Sequence, residues 1–157
     1  MLAARERTVE SDGEEATRAF GERLGVLLRA GDVVLIRGEL GSGKTRLAQG
    51  IGRGLDCPGP ITSPTFVLVN EHPGRETLFH ADLYRVAALD ELEGLGLWEE
   101  AERGVLAVEW PERGGSALPG DGLAITLLPG ERENQRSLRL CARGDRGREI
   151  LAGLGLE

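Results

Sequence analysis

The chain has 157 residues, 40% of them hydrophobic and 29% charged, with a formal net charge of −7. That composition suits one folded domain spanning 1–157 rather than a disordered tail, and its acidic balance argues against sequence-independent nucleic-acid binding, which needs a cationic surface. No apolar stretch approaches the ~20 residues that span a bilayer, and Arg5, Glu6 and Arg7 replace any signal-peptide core, so a cytoplasmic protein with no membrane partner is expected.

Thr8-Val9-Glu10 reads as a short edge strand. Beyond Ser11-Asp12, apolar residues at Ala16, Phe20, Leu24 and Leu27-Leu28 recur at helical spacing as far as Gly31. That spacing predicts a first helix from about Glu14 to Ala30, capped by Ser11 or Asp12. Val33-Val-Leu-Ile36 is a buried strand, and Thr45 to Leu55 repeats apolar residues at Leu47, Ala48, Ile51 and Leu55, a second helix. Cys57-Pro-Gly-Pro60 stops that helix. Phe66–Val69 and Thr77–Asp82 flank Pro73-Gly74 as two strands of a hairpin. Helical spacing returns from Leu89 to about Glu102, and Val105-Leu-Ala-Val108 is a strand covered on both faces. Gly122–Leu128 and Arg136–Ala142 alternate as a late antiparallel pair, and Arg148–Leu154 forms a short terminal helix. The fold class is α/β, a mixed, partly parallel sheet flanked by helices. Cys57 and Cys141 lack metal-ligand spacing and read as unpaired thiols.

Between the first long strand and the second helix lies Gly38-Glu-Leu-Gly-Ser-Gly-Lys-Thr45, and its Lys44 is the only lysine in the chain. Where every other cation is arginine, a retained lysine points to a need for a compact ammonium rather than a planar fork. The octapeptide fits G-x-x-x-x-G-K-[ST], in which backbone N–H groups cradle phosphates and the lysine reaches the β and γ groups. A strand, a glycine-rich turn and a helix start together make an anion site of aligned N–H dipoles.

A triphosphate in such a loop brings Mg²⁺, which wants hard oxygen ligands. Thr45 supplies one by the logic of the motif. Asp82 and Glu109 each end a buried strand, where a carboxylate can serve the metal or orient and deprotonate the attacking water. Ser63-Pro-Thr65 follows the second helix, where nucleotide switches bring a hydroxyl toward the γ-phosphate; as a bare tripeptide it is also an ordinary turn. His80 is as compatible with packing as with chemistry, and Trp110 either walls the nucleotide site or covers the sheet end.

Four segments in this order, Gly38–Thr45, Thr62-Ser-Pro-Thr-Phe66, His80-Ala-Asp-Leu-Tyr-Arg85 and Val108-Glu-Trp-Pro111, resemble the TsaE (YjeE) family of small bacterial ATPases required for threonylcarbamoyladenosine modification of tRNA. The resemblance implies a P-loop ATPase of one α/β domain acting on the TsaD and TsaB proteins, which transfer the threonylcarbamoyl group, with tRNA met only through that complex. It implies ATP and Mg²⁺ as cofactors. Nucleotide contacts would run through the loop, from Glu39 and Leu40 through Gly41, Ser42, Gly43, Lys44 and Thr45 to Arg46. Glu14, in the stretch before and into the first helix, would lie on the adenine side, with Arg136 at another nucleotide-side position and Thr65 in the switch-like segment. Thr45 and Glu109 would hold the metal, and Lys44, Asp82 and Glu109 would carry the hydrolysis. The family often has an aromatic residue where this chain reads Leu127-Leu128-Pro129.

Two rival classes share the loop. A GTP switch needs N-K-x-D, which is excluded because the sole lysine is in the loop and the only asparagines are Asn70 and Asn134. A small-molecule kinase would need a basic lid. Arg132, Arg136, Arg139, Arg143, Arg146 and Arg148 offer one, but Glu131, Glu133, Asp145 and Glu149 interleave with them as a solvated mixed-charge surface.

Overall fold

The computed structural model describes residues 5–62, 69–85, 96–114, 118 and 121–156. Its elements are β1 (Glu6–Ser11), α1 (Glu14–Leu27), β2 (Val33–Arg37), α2 (Lys44–Gly54), β3 (Val69–His72), β4 (Leu78–Asp82), α3 (Leu97–Arg103), β5 (Val105–Glu109), β6 (Gly122–Pro129), β7 (Arg136–Arg143) and α4 (Gly144–Gly153). The strands form one sheet in the order β1-β7-β6-β2-β5-β4-β3.

Alternation along the central strands explains why they read as unbroken apolar runs. Val34 and Ile36 of β2 enter one core, with Leu24, Leu47, Ile51 and Ile150. Val33 and Leu35 enter a second core on the opposite face, with Phe79, Leu106 and Val108. A strand covered on both faces has no polar side to show.

Parallel pairing of β2 with β5 and β6, and of β4 with β5, brings four C-terminal strand ends to one edge of the sheet. β7 and β1 run antiparallel to their neighbours, and Arg136 is register partner to both Pro129 and Ser11. Arg136 and the start of α1 therefore arrive at the same edge. In open α/β sheets that edge is where ligands bind.

Three details differ from the sequence reading. Neither Ser11 nor Asp12 caps α1: the N-cap is Gly13, without a side-chain bond, and the Ser11 hydroxyl instead bonds Gly13 O (2.9 Å) and Thr17 Oγ1 (2.7 Å). Helix α1 also ends at Leu27 rather than Ala30. Leu28 turns to extended backbone (φ −81°, ψ 147°), while Arg75 donates to the carbonyls of Gly25 (3.0 Å) and Leu28 (3.2 Å). Those bonds satisfy helix-end acceptors that another turn would otherwise have used. The terminal helix starts at Gly144, before Arg148, because Arg146 is anchored rather than solvated. Its guanidinium forks onto Asp32 (2.8 and 2.9 Å) and donates to Leu27 O (2.8 Å). The proposed helix start at Leu89, Phe66 at the start of the hairpin, and Ser63-Pro-Thr65 lie outside the described residues.

Candidate functional site

The loop after β2 is shaped by its glycines. Gly41 and Gly43 have φ of 79° and 103°, a left-handed backbone that a side chain resists. Gly43 is the N-cap of α2, so the first free N–H groups of that helix open beside the loop. Space is as tight as conformation: a Cβ on Gly38 would come within 2.3 Å of Ser42 Oγ. That hydroxyl is itself buried with no hydrogen-bond partner among the described residues.

Lys44 begins α2 and is almost wholly buried, at 5% exposure. Its ammonium donates to Gly38 O (2.7 Å) and Glu39 O (2.9 Å) and lies 4.5 Å from the Trp110 ring centroid. Burial pulls its pKa below the ordinary lysine value, while the charges of Glu109 and Asp82 oppose that shift.

Asp82 and Glu109 are register partners at the ends of β4 and β5. Asp82 Oδ1 accepts the Tyr84 N–H at 2.9 Å. Burial raises the pKa of its carboxyl, with that hydrogen bond and the charge of Lys44 opposing. Glu109 Oε2 meets His80 Nε2 at 2.5 Å, with both side chains nearly inaccessible. Beyond Glu109, Trp110 takes left-handed backbone (φ 58°, ψ 48°), an uncommon state for a bulky residue that costs of order 1–3 kcal/mol. Its ring centroid is 4.9 Å from that of Tyr84, so contacts on the indole hold the turn.

These groups line one cleft of about 410 Å³, whose walls include Glu14, Leu40, Gly41, Gly43, Lys44, Thr45, Arg46, Asp82, Glu109 and Trp110. A smaller hollow of about 40 Å³ adjoins it, with Ser42, Thr17, Asn134 and Arg136 among its walls. Glu39 takes part through its carbonyl, and Thr65 lies outside the described residues. Arg136, a wall of that hollow, also donates from its guanidinium to Ser42 O (2.8 Å) and Gly41 O (3.0 Å), so it grips the loop. Glu14 faces Arg46 at 3.5 Å, linking the start of α1 to α2.

Two features were left open by the sequence reading. His80 is a partner of Glu109, and the available signal was strand periodicity: His80 and Asp82, two apart, share a face of β4. Trp110 is a wall of the cleft and a platform for Lys44, and only the geometry decides between its two readings.

The donors suit a nucleotide with a magnesium ion. Thr45, Asp82 and Glu109 offer hard oxygens. Among the described residues no group of three or more His, Cys, Asp or Glu forms a metal cage. No helix of the described residues is long and apolar enough to cross a membrane.

A phosphate-type loop between β2 and α2, at the C-terminal edge of a mixed sheet, defines a P-loop α/β protein. A family model described as "Threonylcarbamoyl adenosine biosynthesis protein TsaE" matches residues 11–138. The chain belongs to the TsaE family, whose members take part in tRNA threonylcarbamoyladenosine biosynthesis. It is similar to the "tRNA threonylcarbamoyladenosine biosynthesis protein TsaE" of Streptomyces coelicolor, 45% identical over 114 residues, 70% of this chain and 77% of that one. The Treponema pallidum protein of the same name is 39% identical over 122 residues, 77% of this chain and 90% of that one. Among solved structures, Bacillus subtilus YdiB superposes with a TM-score of 0.79 at 27% identity, covering 99% of this chain and 97% of that one.

Proposed function

We propose that this chain binds ATP with Mg²⁺ in the cleft and hydrolyses it, serving tRNA threonylcarbamoyladenosine modification as an accessory of the TsaD–TsaB transferase. The observation that carries this reading is the convergence of Lys44, Asp82 and Glu109, from three different elements, on one cleft beside the glycine-rich loop. The loop N–H groups and the Lys44 ammonium take the β and γ phosphates. Thr45 and Glu109 hold the ion, which when bound neutralises phosphate charge. Asp82, whose carboxyl burial favours taking up a proton, orients or deprotonates the attacking water. Glu14 and the hollow beside Arg136 lie on the base side.

The kinase alternative is less well supported, because four of its six supposed lid arginines have other work. Arg132 pairs with Asp12, Arg136 holds the loop, Arg146 is anchored on Asp32, and Arg148 pairs with Asp145.

Titration calorimetry with Mg-ATP tests the site: wild type binds and Lys44→Ala does not, since the β and γ charges lose their ammonium. Equal affinity in the two proteins would end the assignment. Partner dependence is tested by measuring phosphate release with and without TsaD and TsaB, with acceleration expected in the complex. Among the described residues the arginine lining the cleft, Arg46, faces Glu14 and does not read as a built-in arginine finger, so full activity in the isolated chain contradicts the accessory role.

A further inference from the structure

Among the described residues His80 is the one fully buried ionisable side chain beside the cleft that the proposed function leaves unused. It sits in the middle of β4, is 0% exposed, and touches Glu109 Oε2 through Nε2 at 2.5 Å. Its other nitrogen, Nδ1, is buried without a hydrogen-bond partner among the described residues. A proton on Nδ1 would be a stranded donor, which a protein interior disfavours, whereas a bare lone pair is tolerated more readily. The ring proton therefore belongs on Nε2, which donates to the carboxylate.

That assignment constrains Glu109. With Oε2 accepting the His80 N–H, Oε1 is the oxygen His80 leaves unengaged, and so the more available to anything in the cleft that Glu109 lines. That bond also restrains the carboxylate about χ3 and disfavours chelation of an ion through both oxygens. We infer that His80 is a positioning residue, holding Glu109 in the single rotamer that offers one oxygen to the divalent cation. The inference rests on the proposed Mg-ATP reading and adds to it the group that orients the metal's carboxylate. Magnesium favours such one-oxygen ligation within an octahedral shell, and removing the partner that orients a metal ligand typically weakens metal affinity ~10–100-fold.

The test uses the full chain with Mn²⁺ as the probe, titrated by electron paramagnetic resonance in the presence of ADP, so that no turnover is needed. His80→Ala should raise the Mn²⁺ Kd ~10–100-fold while leaving metal-free ADP affinity, measured in EDTA, as in wild type. His80→Gln, whose amide reaches the place of Nε2, should bring the Kd back to within about threefold of wild type. In a Glu109→Ala background the His80→Ala change should cost nothing further, because a positioning residue has nothing left to position. Should His80→Ala fail to fold, His80→Phe fills the space without a donor and takes its place. An unchanged Mn²⁺ Kd in the donor-less variant overturns the inference, as does an equal loss in the Glu109→Ala background. If wild type with ADP binds no Mn²⁺, the Mg-nucleotide reading falls and takes this inference with it, an outcome distinct from a bound metal indifferent to His80.

Discussion

The Lys44 ammonium rests 4.5 Å from the Trp110 ring centroid while donating to two carbonyls of its own loop, Gly38 and Glu39. A desolvated ammonium over an indole is an attractive contact of roughly 1–2 kcal/mol. Those acceptors and the ring thus hold the lysine in place at the point where a phosphate would compete for it. Trp110 is one of two tryptophans, the other being Trp98. In a Trp98→Phe protein, Mg-ATP should shift the emission of Trp110 as the ammonium turns from ring to phosphate. The same titration on the Lys44→Ala protein should be flat. A flat response in the lysine-bearing protein, with binding proved by calorimetry, breaks the link between the two residues.

Lysine rather than arginine is demanded by the space. Lys44 is 5% exposed and reaches two carbonyls at 2.7 and 2.9 Å, a fit to a point charge that a planar guanidinium does not share. Lys44→Arg keeps the formal charge, yet Mg-ATP affinity should fall at least ~10-fold because the fork cannot enter without displacing the loop. Near-native affinity in that variant would mean that charge alone suffices.

Asp82 links stability to pH. Burial raises its folded-state pKa above that of the unfolded chain, so the folded protein holds this proton more tightly. Stability tied to the group is complete below the unfolded carboxyl pKa and is lost as pH climbs through the folded value. At neutral pH the fold carries the whole cost of the buried charge. Asp82→Asn should therefore melt higher than wild type at about pH 7.5, with the advantage fading toward about pH 3.5. The same change should slow ATP hydrolysis ~10²-fold while leaving nucleotide bound. A lower melting temperature at neutral pH would show that Asp82 is held mainly by its attraction to Lys44 rather than penalised by burial.

How much of this the chain disclosed depends on sequence distance. The loop was legible because Gly38–Thr45 is contiguous and its lysine unique, and the buried strands because both faces of Val33–Ile36 and Val105–Val108 are covered. Asp82 and Glu109 were legible as strand ends without knowledge of their pairing. The hidden relations span strands. His80 and Glu109 are 29 residues apart, and Arg136 grips Ser42 across 94. Local periodicity cannot see such contacts until the strand order is known. The misplaced cap has a local cause: Ser11 looks like a helix starter, but as the last residue of β1 it bonds Thr17 instead.

The packing of α1 on α2 was also invisible as a pattern, although it fixes where Lys44 starts its helix. Gly21 and Gly25 of α1 lie against Gly50 and Gly54 of α2 with the backbones almost in contact. A Cβ on Gly50 would meet Arg18 O at 2.1 Å, and one on Gly54 would meet Glu22 O at 2.3 Å. Alanine is the better helix former by ~1 kcal/mol, so an exposed helical glycine gains from the exchange. Here the obstacle is backbone, which cannot rotate away, and overpacking of this kind costs typically ~1–3 kcal/mol or more. Gly50→Ala should therefore lose about 1–2 kcal/mol net, a fall of several degrees in melting temperature for a chain this size. It should also weaken Mg-ATP binding, because α2 can relieve the clash only by moving its N-terminal Lys44. Gly13→Ala is the control: nothing lies within 4 Å of the added Cβ, so it should lose only the N-cap preference of glycine over alanine, about 0.5 kcal/mol, and melt above the Gly50 variant. Equal melts for the Gly50 and Gly13 variants would show that the two helices slide apart freely, and the close glycine contact would then have no part in setting the loop.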